Sequence, residues 1–283
     1  MQRVPKIIHQ TWIERDHPWI KEGERLWLDI NPDYEYRFYT DNDITTFMRE
    51  HFDDEVNECY SRINCGALRA DFFRYCVLYI KGGVYADIDH RPDKGDKPAE
   101  IDWSTLSNVI EGEDECVFVS QPVYKSQNLD IVFNAFLISV PGHPIFLEMI
   151  KKVCSNIKNN LYRTGNEIHL CSGTEVVIEA IKKVVGCEEI PCHGYITPHI
   201  KFLRSTTLNS GIFHYIMLPH DMSVNYDTSF EVDQHIAGIF ITPETETKGT
   251  IFLVSQLDFP EKYTLYNDED KHKHYGAIEY TYN

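Results

Sequence analysis

An apolar helix that stops at two glycines and resumes at once as a strand constrains this chain more than any other feature. Residues Ile63–Ile80 carry Leu68, Phe72, Tyr75, Val77, Leu78 and Tyr79 at helical spacing. Gly82 and Gly83 then supply the positive φ that ends a helix and that other residues resist. Val84-Tyr85-Ala86 continues as a strand and closes on Asp87-Ile88-Asp89. Alternate strand side chains share a face, so Asp87 and Asp89 are expected to point together while Ile88 turns into the core. Hard divalent cations are held by one or two carboxylates, with water and substrate phosphates completing the shell. The pair therefore suits a protein that handles a nucleoside diphosphate. In a chain with 44 acidic residues, a solvated turn is the competing reading. Upstream, Asp71 and Arg74 are three apart and neighbours on one helical face, with a surface ion pair as their competing reading.

The charge balance narrows the partners. A formal net charge of -17 and no clustered Lys or Arg argue against nucleic acid, whose phosphates demand such clusters. An anionic ligand would instead need local neutralisation by a bound metal and one or two placed basic groups. Eight cysteines, at 59, 65, 76, 116, 154, 171, 187 and 192, form no C-x-x-C pair and no zinc-ligand spacing. Most sit in apolar contexts where a reduced thiol packs as a small hydrophobe. Nothing at the N-terminus resembles a signal peptide, and no apolar run approaches the length of a membrane span. The expectation is a soluble, cytoplasmic protein, or a luminal Golgi one if an anchor lies outside this sequence.

Along the chain, residues 6–13 read as a first strand, 18–30 as a helix, Asn31-Pro32-Asp33 as a turn and Tyr34–Tyr39 as a second strand. Thr40 or Asp41 caps a helix through Met48, and a short helical piece holds Cys59 and Tyr60. This alternation signals a parallel, doubly wound sheet, whose ligand crevice lies beyond the carboxyl ends of the strands. Trp12 and the two acids would both lie there. Further on, Cys116–Ser120 and Val132–Ile138 are strand candidates. Pro141-Gly142-His143-Pro144 turns into a helix to about Asn160, and a second helix runs from Thr174 to Val185. The last hundred or so residues are aromatic-rich and irregular, with short strands such as Thr250–Val254.

Pro5-Lys6-Ile7-Ile8-His9-Gln10-Thr11-Trp12, Ala70-Asp71-x-x-Arg74-Tyr75 and Gly82-Gly83-Val84-Tyr85-x-Asp87-x-Asp89 together resemble the Asp-x-Asp sugar transferases. The resemblance is to glycosyltransferase family 32, which includes fungal α-1,6-mannosyltransferases, and more distantly to the clostridial glucosylating toxins. Phe133-Asn134-Ala135-Phe136 and Pro141-Gly142-His143-Pro144 extend it more loosely. It implies an α/β fold of GT-A type: a Rossmann-like mixed sheet flanked by helices. That fold would form one domain over 1–283, with a nucleotide-sugar-binding half at 5–92 and an irregular acceptor-side half at 93–283. It further implies a nucleotide-sugar donor, a glycan or glycolipid acceptor, Mn²⁺ or Mg²⁺, and retention of anomeric configuration. By position, Ile8, His9, Gln10 and Trp12 would contact the donor, with Trp12 stacking on the base. Asp71 would hold sugar hydroxyls, Arg74 sugar or diphosphate oxygens, and Tyr85 the diphosphate or ribose side. Asp87 would meet ribose and metal, Asp89 the metal, and His274 would be a third protein ligand.

Two segments depart from the family pattern. Ser172-Gly173-Thr174 stands where relatives carry Thr-Gly-Pro, and His272-Lys273-His274-Tyr275-Gly276-Ala277 lacks their Trp. Two other functional classes stay open on the sequence: a metal-dependent hydrolase acting on nucleotide sugars, and a non-catalytic carbohydrate-binding relative. Donor hydrolysis without transfer marks the first, and sugar binding without turnover the second.

Overall fold

The computed structural model describes residues 2–88, 90–91, 102–103, 105–123, 129–164, 167–191, 194–207, 213–217 and 250–255. In chain order the elements begin β1 (Ile7–Thr11), α1 (Pro18–Ile30), β2 (Glu35–Tyr39), α2 (Asp41–His51), α3 (Asp54–Arg62), α4 (Gly66–Lys81) and β3 (Gly83–Ala86). Then come β4 (His90–Arg91), β5 (Asp102–Trp103), α5 (Leu106–Val109), β6 (Cys116–Val123), β7 (Leu129–Ser139), α6 (Pro144–Lys158), α7 (Ile168–Cys171) and α8 (Thr174–Val185). β8 (Gly194–Thr197), β9 (Ile200–Thr207), β10 (Phe213–Met217) and β11 (Thr250–Ser255) complete them.

The strands form one mixed sheet in the order β2-β1-β3-β7-β6-β9-β10-β11-β4, with β5 on β11 and β8 on β9. Its N-terminal part is parallel as expected, β1 lying between β2 and β3. β7 then runs antiparallel to both β3 and β6, and β6 runs parallel to β9. Both faces of the central strands are covered, which is why they read as nearly continuous apolar runs. Tyr85, Leu137, Cys116, Phe118 and Phe202 face a core shared with α4, α6 and α8. Their neighbours Val84, Ala86, Phe136, Ile138, Val117, Val119 and Leu203 face Trp27 of α1 and Leu106 and Val109 of α5.

α4 is buried all round rather than on one stripe: every residue from Asp71 to Leu78 is buried. It ends where expected, Gly82 and Gly83 having φ of 63° and 96°. The need for glycine is steric as well. A Cβ on Gly83 would stand 2.5 Å from Ile7 O, and one on Gly82 would stand 2.7 Å from Pro141. Thr40 caps α2 through a reciprocal box with Asp43. Cys59, Cys65, Cys76, Cys116, Cys154 and Cys171 are buried free thiols, as their apolar contexts predicted. Cys192 lies outside the described residues.

Candidate active site

β3 ends at Ala86, one residue before the first acid. Asp87 keeps one further bond to the sheet, its N–H donating to Ala135 O at 2.8 Å. The chain then turns, with His90 N–H donating back to Asp87 O at 2.8 Å. The first of the two acids thus stands past the end of the strand, in the turn. The Asp87 carbonyl is captured by the turn and by Gln10, not by a neighbouring strand. Asp89 and His274 lie outside the described residues. Ile88 turns inward as expected, but onto the small Trp19–Ile20 cluster, where Trp12 and Phe38 also pack. Trp12 and the acid-bearing turn thus flank the same apolar support.

The Asp87 side chain keeps the face of Tyr85, toward α4, and is 32% exposed. Its Oδ1 accepts from Tyr85 Oη at 3.1 Å and from Arg74 Nη2 at 2.9 Å. The same Nη2 lies 3.0 Å from Asp71 Oδ1, Nη1 donates to Asn134 O at 2.6 Å, and Nε donates to Ala70 O at 3.3 Å. The guanidinium also lies 4.8 Å from the centre of the Tyr85 ring. Asp71 is held on both oxygens: Asn134 Nδ2 donates to Oδ1 at 2.8 Å, and Ser172 Oγ to Oδ2 at 2.7 Å. With 4% and 9% of their side chains exposed, Arg74 and Asp71 form a buried pair, not a surface one.

Burial dictates the electrostatics. Burial alone would lower the Arg74 pKa, but Asp87, Tyr85 and Asp71 hold the guanidinium above its ordinary value and fully charged. Burial raises Asp71, opposed by Arg74, Ser172 and Asn134. Burial likewise pushes the Tyr85 phenol well up, so it stays a neutral donor to Asp87. An ion pair this dry demands extra hydrogen bonds. Asn134 and Ser172 supply them.

β1 supports the turn at Asp87. His9 has no exposed surface, and its burial lowers its pKa to about 4. The neutral ring donates Nε2–H to Gly82 O at 2.9 Å and accepts the Tyr39 hydroxyl on Nδ1 at 3.1 Å. Gln10 donates to Asp87 O at 2.8 Å and His90 O at 3.1 Å, and accepts from Tyr36 Oη at 2.8 Å. Trp27 Nε1 adds a bond to His90 O at 3.2 Å. Ile8, His9 and Tyr85 are 0% exposed and Gln10 is 1% exposed. The polar groups among them are engaged within the protein, His9 with Tyr39 and Gly82, Gln10 with Asp87, His90 and Tyr36, and Tyr85 with Asp87, and they hold the frame of the turn. Arg74, expected on donor oxygens, has Nε, Nη1 and Nη2 each on a protein oxygen. Among the described residues, half-buried Trp12 and Asp87 are the expected ones that keep open surface. Among the described residues no group of three or more His, Cys, Asp or Glu side chains is placed to hold a metal.

Asn134, Ser172, Tyr36 and Trp27 complete the site and were not singled out as site residues. An asparagine inside the apolar run Val132–Ile138 was a usable signal, because a buried amide needs a partner. Ser172 gave none beyond its place in the departing Ser-Gly-Thr segment.

Residues 19–98, which contain Asp71, Arg74 and both acids, match the family described as a glycosyltransferase sugar-binding region containing a DXD motif. The chain therefore carries a glycosyltransferase region of the Asp-x-Asp class, as the resemblance implied. It is 31% identical, over 54% of its length, to mannosyl phosphorylinositol ceramide synthase SUR1 of Saccharomyces cerevisiae, covering 35% of that protein. It is 22% identical, over 75% of its length, to the initiation-specific alpha-1,6-mannosyltransferase of Schizosaccharomyces pombe, covering 58% of it. The chain thus spans between about a third and three fifths of these two relatives. Among solved structures, the PaToxG glycosyltransferase matches 65% of this chain and 71% of its own at a TM-score of 0.48 and 15% identity. Among the described residues no helix is long and apolar enough to cross a membrane.

Proposed function

We propose that this chain is a metal-dependent, retaining glycosyltransferase that moves a hexose from a nucleotide-diphosphate sugar to a hydroxyl on a glycan or glycolipid. Mannose is favoured as the hexose, because the names of the relatives above share it. The whole of 1–283 is read as one domain, with the donor half at 5–92 and the acceptor half at 93–283. The supporting observation is the charged, immobilised Arg74 at 2.9 Å from the partly exposed Asp87, just past the carboxyl end of a parallel strand.

Asp87 offers hard oxygen at an accessible edge, the donor chemistry that Mn²⁺ or Mg²⁺ takes when waters and phosphates fill the remaining positions. Asp87, Asp89 and His274 would hold such an ion, which would supply positive charge to the departing diphosphate. Tyr85 and Arg74 fix the Asp87 carboxylate before any ligand arrives, so little reorganisation accompanies the reaction. Arg74 also adds a permanent positive charge beside the leaving group. Trp12 presents an indole on which a nucleobase stacks. The route proposed is attack by the acceptor hydroxyl on the face the diphosphate leaves, which would retain the anomeric configuration.

The test is a panel of GDP-mannose, UDP-galactose, UDP-glucose and UDP-N-acetylglucosamine with Mn²⁺, followed by release of the nucleoside diphosphate and transfer to mannoside acceptors. One donor is expected to turn over, with Asp89→Ala at least about 100-fold slower at unchanged melting temperature. Full activity of Asp89→Ala in excess chelator would contradict the assignment.

A further inference from the structure

Ser172 belongs to none of the donor segments, yet it is joined to Asp87 by an unbroken chain of short contacts. Its Oγ donates to Asp71 Oδ2 at 2.7 Å, Asp71 Oδ1 lies 3.0 Å from Arg74 Nη2, and that nitrogen lies 2.9 Å from Asp87 Oδ1. Ser172 itself has no exposed surface. It is held from the other side as well: Tyr75, one turn after Asp71 on α4, donates its hydroxyl to Ser172 O. Asn156 of α6 donates to Cys171 O at 2.9 Å, pinning the residue before it. The residue after it must be glycine, because a Cβ on Gly173 would meet His169 Cα at 2.8 Å. The α7–α8 junction is therefore built to deliver one hydroxyl to one carboxylate oxygen.

We propose that Ser172 is a positioning residue for sugar transfer, acting through Asp71 to lock Arg74 against Asp87, with Asn134 bracing the opposite oxygen of Asp71. This rests on the functional reading above but concerns a residue outside the donor motifs. A hydroxyl-to-carboxylate bond in a dry site is worth enough that its loss leaves Asp71 Oδ2 short of a donor and lets the Arg74 fork swing. Threonine preserves the hydroxyl. Alanine removes it.

The test uses the full chain with ¹⁵N-labelled arginine, the Arg74 guanidinium signals being assigned with Arg74→Lys. Wild type and Ser172→Thr are expected to give resolved, slowly rotating Arg74 Nη–H signals. Ser172→Ala, at native circular dichroism, is expected to give averaged ones. If alanine prevents folding, Ser172→Cys, nearly isosteric but a weak donor, is read in the same way. In turnover, Ser172→Ala is expected to lower kcat about tenfold, with recovery in Ser172→Thr. Averaged signals already in wild type, or resolved ones in Ser172→Ala, would overturn the relay. If wild type turns over no nucleotide sugar, the functional reading fails while the guanidinium signals still decide the relay.

Discussion

His9 sits wedged between Tyr39 and Gly82 with no exposed atom, and its burial has a consequence in solution. Its pKa falls from 6.5 to about 4 in the folded chain, so the unfolded chain binds its proton first as pH drops. The folded-state pKa is depressed, and the resulting stability is fully present above the unfolded value. It is lost progressively from 6.5 down to about 4. The shift corresponds to about 3 kcal/mol over that window. Imidazole ¹⁵N spectra should show the His9 ring still neutral near about pH 5.5, with stability to urea declining over the same range. A ring that titrates at its ordinary value would contradict the buried geometry. The same scale separates the two views of Asp71 and Arg74. Their spacing was visible in the sequence, but their burial was not, because the partners that make it tolerable come from Asn134 and Ser172, far along the chain.

At the scale of elements, the passage from α4 into β3 depends on two glycines for different reasons from the turn at Gly142. All three have positive φ, yet only Gly82 and Gly83 press against backbone that cannot move aside. Gly83→Ala would drive a Cβ into the Ile7 carbonyl, whereas Gly142→Ala meets nothing within 4 Å. Urea denaturation should find Gly142→Ala down by about 1–2 kcal/mol, from backbone strain alone. Gly83→Ala should be down by about 3 kcal/mol or more, or should fail to fold. Equal losses would mean that the β1–β3 approach is not tight. Elements with a strong local signal were legible: α8 runs from Thr174 to Val185 as read, and α1 spans Pro18–Ile30. α4 begins three residues later than read, at Gly66, and differs in character too, since an apolar stripe and an all-round apolar helix differ only in what surrounds them. β8 and β9 escaped because their sequence is broken by polar residues. Lys201, for instance, is buried in β9 with its amine on Val109 O and Glu111.

Across the whole molecule, the parallel part of the sheet was readable from alternating strands and helices. The antiparallel insertion of β7 next to β3 was not, since it pairs segments about fifty residues apart. That insertion matters for the site, because β7 brings the Ala135 carbonyl to Asp87 and Asn134 to both Asp71 and Arg74. Many residues of the donor motifs are buried and hold the strand ends around Asp87. Ile8, His9, Gln10 and Tyr85 fasten the strand ends, leaving Trp12 and Asp87 with open surface. On the proposed function, a nucleotide sugar engages Asp87 together with a metal. Calorimetric titration of GDP-mannose and of UDP-glucose into wild type and Asp87→Asn, each with Mn²⁺ and with excess chelator, measures that directly. One nucleotide sugar should bind wild type only when Mn²⁺ is present, with affinity for Asp87→Asn at least about tenfold weaker. Binding that survives the chelator, or that Asp87→Asn leaves unchanged, would contradict a metal-bridged donor at this site.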